Sequence, residues 1–127
     1  MTFRNSLRTL LAASVFASWA AALPMVTNAQ GYPSKQLRIV VAFPAGGPID
    51  IVARMMTAKL GEAMGQSVIV DNRGGAGGTI GAGQVAKSEP DGYALLFHSS
   101  THVIAPSLYT NLPYDTANDF AAVAPIG

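Results

Sequence analysis

The run Leu37–Phe43 (LRIVVAF) constrains the fold more than any other stretch of the chain. It is rich in β-branched residues, nearly continuous in apolar character and without polar alternation. That is the pattern of a strand buried on both faces. A strand of this kind belongs in a parallel sheet with helices packed on it, so the α/β class is set before any other element is placed.

The following residues agree. After the interruption PAGGP, the positions Ile49, Val52, Ala53, Met56, Leu60 and Met64 recur at helical spacing and define one apolar face. Gly47 is the expected N-cap and Pro48 the first helical residue. Asp50 stands where a carboxylate meets the positive helix end, and Gly65 ends the helix. Ser67–Asp71 (SVIVD) predicts a second strand. A helix is expected over Thr79–Lys87, a turn at EPDG, and a third strand at Tyr93–His98 (YALLFH). A short helix near Val103–Tyr109, a turn-rich NLPYD link and the start of a fourth strand at Ala121–Ile126 complete the reading. Gln30–Lys35 reads as a short arm. The order is βαβαβ, hence parallel strands with right-handed crossovers.

The first residues stand apart. Arg4 and Arg8 form a basic start, Leu10–Leu23 an apolar core, and Thr27, Asn28 and Ala29 a small-residue cleavage site before Gln30. Residues 1–29 are therefore expected to be an export leader rather than a signal anchor, because the apolar run is short for a membrane span. The chain has no cysteine, so neither a lipidated N-terminus nor a disulfide framework is available. Removing Arg4 and Arg8 leaves six Lys and Arg against seven Asp and Glu, a formal charge of −1. No basic run remains and no aromatic residues alternate with Lys or Arg, which speaks against nucleic acid as a partner.

Ligands of open parallel sheets bind outside the carboxyl ends of the strands. PAGGP, NRGGAGG and HSSTH all fall at such ends, so three polar or glycine-rich loops should converge on one rim. The glycine spacing fails both nucleotide patterns. Gly75 and Gly77 are followed by Ile80 where a dinucleotide loop needs its third glycine, and no Gly-Lys-Ser/Thr follows for a triphosphate. His98 and His102 lack the glutamate and third ligand of a zinc site. Ser99, Ser100 and Thr101 lack the surroundings of a nucleophile elbow. No catalytic residue, metal or cofactor is expected.

What the loops can do is hold an anion. Backbone amides of Ala45, Gly46, Gly47, Gly75, Ala76, Gly77 and Gly78 can approach a ligand closely, beside the positive ends of two helices. The hydroxyls of Thr79, Ser99, Ser100 and Thr101 can donate to a carboxylate oxygen. Arg73, the one cation within these loops, reads equally as a partner of Asp71. Asp50 reads as a capping residue rather than a ligand contact, since it would repel an anion.

Three long stretches, YPSKQLRIVVAFPAGGPIDIVAR, GQSVIVDNRGGAGGTIGAGQVAKSEPDGYALLF and SLYTNLPYD, closely resemble the N-terminal portion of the Bug solute receptors. These are extracytoplasmic substrate-binding proteins of tripartite tricarboxylate transporters. The resemblance covers essentially the whole chain after the leader. It implies a periplasmic-binding-protein-like (type II) first lobe with a βαβαβ parallel sheet over residues 30–127, apparently truncated before a second lobe. It also implies a monomeric periplasmic receptor that closes on a small carboxylated solute and passes it to membrane transporter components, without catalysis or cofactor. The ligand loops it implies are Pro44–Asp50, Gly75–Thr79 and His98–His102. The family often carries Thr or Ser where this chain has Ile49, and Pro where Gly74 stands. The readings left beside this one are an exported α/β enzyme with catalytic residues beyond Gly127, and a truncated product without function.

Overall fold

The computed structural model describes residues 31–126. The leader expected over residues 1–29, and the cleavage point before Gln30, lie outside the described residues. The elements are β1 (Leu37–Val41), α1 (Pro48–Met64), β2 (Val68–Asn72), a 3-10 turn (Ala76–Gly78), α2 (Thr79–Ala86), β3 (Ala94–Phe97) and α3 (Thr101–Leu108). The three strands form one parallel sheet in the order β2-β1-β3. Leu37 pairs with Val68 and Val41 with Asn72 on one side; Arg38 pairs with Ala94 and Val41 with Phe97 on the other.

The central position of β1 explains its sequence. Leu37, Ile39, Val40, Val41 and Ala42 are all within 3% of complete burial. Side chains alternate between the two faces of a strand, so both faces must be covered, and two helices share the work. Ile39 and Val41 pack with Ala53 of α1, joined by Phe43, Ile49, Leu60, Val68, Val70, Leu95 and Phe97. On the other face, Gly81 of α2 sits so close to Ala42 that an added Cβ would lie 3.1 Å from its Cα and 2.8 Å from the Arg73 carbonyl oxygen. Burying Leu37, Val40 and Val41 contributes about 1.5–3 kcal/mol each, which makes β1 the element on which the others depend.

α1 begins and ends where expected. Gly47 is the N-cap, Pro48 opens the helix, and Gly65 closes it in the left-handed conformation (φ 63°). Its buried face is shifted from the expected stripe. Asp50, Ala53 and Thr57 are the buried residues, whereas Val52 is 40% exposed. Val52 lies on the margin of the stripe traced by Ile49, Ala53, Leu60 and Met64, on the side away from the buried Asp50 and Thr57. Ile51 and Met55 beside it are exposed as well.

The second correction concerns Ala121–Ile126, where a fourth strand was expected. Among the described residues this segment has no regular structure and is exposed throughout. A strand exists only when a neighbour accepts its amides, and Pro125 has none to give. α3 starts at Thr101, two residues before the expected Val103, and contains Pro106. Proline removes a helical donor, so the helix stays short; Tyr109 N donates to the Ala105 carbonyl to close it.

The arm before β1 is docked at the opposite edge of the sheet from the loops. Tyr32 Oη donates to the Gly92 carbonyl at 2.7 Å, and Ser34 N donates to Tyr93 Oη at 2.8 Å. Lys35 pairs with Asp91 at 2.8 Å, with its ammonium 4.4 Å from the centre of the Tyr93 ring. No helix among the described residues is long and apolar enough to cross a membrane.

Candidate functional site

Because the strands are parallel, their carboxyl ends share one edge, and the three loops that follow them meet there. Loop 1 runs from Phe43 to Gly47, loop 2 from Arg73 to Gly78, and loop 3 from His98 to Ser100. Contacts join them in pairs. A Cβ on Gly74 would lie 3.0 Å from Pro44 N and 3.2 Å from the Phe43 carbonyl carbon. The ring of His98 occupies the place a Gly78 side chain would take. Phe43 and His98 meet edge to face at 5.3 Å. The convergence expected from topology is therefore a physical contact.

Loop 1 is organised by a buried carboxylate. Asp50, 2% exposed, stands at the third helical position of α1. Its Oδ2 accepts from Gly46 N at 2.8 Å and from Arg54 Nε at 2.9 Å, while Oδ1 accepts from Asn72 Nδ2 at 2.9 Å. This is a relative of the capping box, in which a side chain of the first turn reaches back to a preceding amide. Asn72 also donates to the Phe43 carbonyl at 3.2 Å and accepts from Arg54 at 3.0 Å. The Arg54 hydrogen bond, then the Gly46 amide and Asn72, hold the Asp50 carboxyl down at about 2. Asp50 thus caps the helix and shapes the loop, facing inward rather than toward a ligand.

Loop 2 is built without such a hub. Gly75, Ala76, Gly77 and Gly78 have φ of 127°, 46°, 64° and 94°, four successive positive values. This tight left-handed turn needs glycine, because a Cβ collides with backbone in that region. Ala76 adopts it despite its side chain. Three side chains brace the turn: Ile80 and Tyr109 stand where side chains of Gly75 and Gly77 would go, and His98 abuts Gly78. Gly78 caps α2, whose positive end therefore lies directly behind the turn.

Loop 3 is wired to itself. His98 Nδ1 accepts from Ser99 N at 2.9 Å, and Ser99 Oγ and Thr101 Oγ1 share a hydrogen bond of 2.8 Å. Burial pulls the His98 ring below its ordinary value, and hydrogen bonds with the Ser99 and Gly78 backbones oppose this. His102 is lowered by burial and by the neighbouring His98. The two rings are 5.1 Å apart; His102 stacks on Tyr114 at 5.7 Å and meets Phe120 edge-on at 4.8 Å. The histidines thus lie in an aromatic cluster, and no group of three potential metal ligands occurs among the described residues.

The eleven expected site residues are all on this rim, but they are not equally free. Gly46 N is committed to Asp50, Gly47 N to the Pro44 carbonyl at 3.4 Å, and Gly78 N to the Gly75 carbonyl at 2.9 Å. Thr79 is 8% exposed, and its hydroxyl donates to the Ala76 carbonyl at 3.0 Å. Ser99 and Thr101 bond to each other, and Ser100 is exposed. Among the described residues, the amides of Ala45, Gly75, Ala76 and Gly77 donate to no protein acceptor, and all four residues are exposed. Arg73 is paired with Asp71 at 2.9 Å, and Arg38 reaches the same carboxylate at 3.6 Å. The rim itself is open. Among the described residues, a shallow depression of about 300 Å³ beside Lys35 and Tyr93 lies away from it, and one of about 400 Å³ beside Tyr109 and Tyr114 adjoins it through Tyr109.

Sequence reasoning placed His98 in a ligand loop without its bracing role, and missed Asn72, Tyr109 and Tyr114 as parts of this architecture. Asn72 had a signal: it is the last residue of β2, at the edge where sites form. The aromatic residues had none, since their partners are distant in sequence.

Comparisons with known proteins agree with this geometry. The family model described as tripartite tricarboxylate transporter family receptor matches residues 52–127. A UPF0065 protein of Bordetella bronchiseptica is 47% identical over 120 residues, covering 94% of this chain and 35% of that protein. Protein BugT of Bordetella pertussis is 38% identical over 125 residues, covering 97% and 38%. The chain thus spans about a third of the length of the curated relatives it matches. Among solved structures, the periplasmic binding protein BugD superposes with a TM-score of 0.68 at 46% identity over 70% of this chain and 30% of that one. MatC from Rhodopseudomonas palustris with bound malate gives 0.65 at 41% identity, over 70% and 31%. A second R. palustris protein, with adipate, gives 0.59 at 37%, over 68% and 29%. The parallel sheet with its carboxyl-edge loops is that of the periplasmic binding proteins, and with more than half of its residues matched by the family model the chain belongs to the tripartite tricarboxylate transporter receptor family.

Proposed function

We propose that this chain carries a half-site for a small carboxylated solute, in a periplasmic receptor that serves a tripartite tricarboxylate-type transporter. The observation that supports it best is the group of uncommitted amides at Gly75, Ala76 and Gly77, set in front of the α2 N-terminus with Ala45 across the rim. Backbone donors of this kind suit an anion and ask nothing of its remaining structure. Malate in MatC and adipate in the second R. palustris protein are dicarboxylates, and these relatives support the same ligand class here. The reading is of a binding protein that acts as a monomer, not an enzyme.

The affinity expected of the open rim is low. Four charge-assisted amide bonds at about 2 kcal/mol each, less about 4 kcal/mol for lost ligand freedom, leave a site of about millimolar strength. The test is thermal denaturation of the chain with mono-, di- and tricarboxylates at matched ionic strength. A carboxylate at about a hundred times its Kd should add ~2.7 kcal/mol of stability, and the amides of Gly75–Gly77 should shift in NMR spectra. If no carboxylate moves either the melting midpoint or those amides, the proposal fails.

A further inference from the structure

The imidazole of His98 touches all three rim loops. Its ring meets Phe43 of loop 1 edge-on, fills the space beside Gly78 of loop 2, and bonds within loop 3. Nδ1 lies 2.9 Å from the Ser99 amide, which it accepts in the neutral tautomer whose proton sits on Nε2, toward Gly78. The Ser99 carbonyl oxygen lies 3.1 Å from the same Nδ1, and Thr101 Oγ1 3.4 Å away. One ring nitrogen therefore faces a donor and two acceptors at once.

We propose that His98 is a proton-controlled positioning residue of the carboxylate site: neutral, it sequesters the Ser99 amide; protonated, it releases that amide and brings positive charge to the rim. This rests on the carboxylate reading above. A proton on Nδ1 turns an acceptor into a donor, and two donors cannot face each other at hydrogen-bond distance. The Ser99 amide must then find another acceptor, while Nδ1 gains the Ser99 carbonyl or the Thr101 hydroxyl. An incoming carboxylate is such an acceptor, and the imidazolium charge attracts it too. Both effects have the same sign, so solute binding takes up a proton and affinity rises as pH falls through the His98 titration.

The surroundings make the device workable. The groups packed on the ring are Phe43 from loop 1, Gly78 from loop 2, Ser99 and Thr101 from loop 3 and the start of α3, and His102 from α3. Only His102 among them titrates, and a charge there opposes one on His98. Burial favours the neutral ring in the free protein, so the proton arrives with the anion rather than before it.

The experiment is an NMR pH titration of the full chain, natural and His98→Asn, with and without succinate. Asparagine keeps an acceptor near the Nδ1 position but does not titrate. Without succinate, the Ser99 amide signal should move along the His98 imidazole titration in the natural chain, and stay flat in the variant. With succinate, the ratio of affinities at pH 5 and pH 8 should be about tenfold larger in the natural chain than in the variant, equivalent to one unit of rise in the His98 value. The titration of succinate itself is common to both proteins and cancels. A Ser99 amide that ignores the His98 titration overturns the inference whatever the ligand does. Succinate binding with the same pH dependence in both proteins overturns it while leaving the carboxylate site standing. Loop amides untouched by succinate, malate and adipate at either pH overturn both.

Discussion

Loops 1 and 2 are both rich in glycine and sit side by side, yet different forces hold them. Loop 1 has a single positive φ, at Gly46, and its shape is imposed by a buried charge: Asp50 gathers Gly46, Arg54 and Asn72. Loop 2 has four positive φ values in a row, and its one charge, Arg73, is turned away to pair with Asp71 of β2; bulky side chains fill the spaces its glycines leave empty. The first loop is an electrostatic construction and the second a steric one. Similar composition therefore says little about what a substitution will do.

The largest effect is expected at the charged hub. Asp50→Ala leaves the Gly46 amide, Arg54 and Asn72 without their common acceptor. It should lower the melting temperature more than any single glycine change in either loop, as read by calorimetry. The same hub sets an acid limit. Asp50 titrates at about 2 in the folded chain against an ordinary 3.8, so its stabilising contribution is complete above 3.8 and is lost as pH falls toward 2. In an Asp50→Asn chain, melting temperature plotted against pH should lack this acid arm; an unchanged arm would place the acid sensitivity elsewhere.

The glycines separate the two loops most sharply. Gly78→Ala combines a left-handed backbone with a side chain driven into the His98 ring, and should cost about 3 kcal/mol by denaturant unfolding. Adding His98→Ala should return on the order of 1 kcal/mol of this, a coupling a double-mutant cycle can resolve. Gly46→Ala has a similar φ, 81°, but open space around its Cβ. It should cost only about 1 kcal/mol, the conformational share alone. Equal costs at Gly46 and Gly78 would mean that steric bracing is not what holds loop 2.

The smallest change has the opposite sign. Ala76 is the one residue other than glycine with positive φ among the described residues. Ala76→Gly relieves that strain, of about 1–2 kcal/mol, against about 0.4–1 kcal/mol of added freedom in the unfolded chain. A net gain of a few tenths to about 1 kcal/mol is expected. A loss would show that the Ala76 methyl makes a contact worth more than the strain.

Loop 1 was legible in the sequence and loop 2 was not, for the same reason that separates them physically. Gly47, Pro48 and Asp50 announce a helix start by local rules, and Asp50 was identified as a capping residue from its position alone. The glycines of loop 2 announced a close approach without saying of what, because Tyr109 and His98 reach it from remote positions. The strands were legible because burial on both faces leaves a composition of its own; β1 is the clearest case. Val52 was misplaced because periodicity defines a stripe but not which margin of it is covered, and here the Asp50 and Thr57 side is buried. Ala121–Ile126 was misread because apolar composition cannot supply a neighbouring strand.

The order β2-β1-β3 has a last consequence, for the timing of folding. The first strand of the sheet in sequence is its middle strand in space, and Arg38 must wait for Ala94 before its second ladder can form. No early hairpin can shelter β1, since parallel strands meet only through long crossovers. Slow closure of this kind is the usual cost of non-local pairing. Leu37–Ala42, in which five of six residues are buried in the folded chain, therefore stays uncovered on one side until β3 arrives. A chaperone that prevents aggregation would find its binding stretch there, and would be released only when Phe97 arrives.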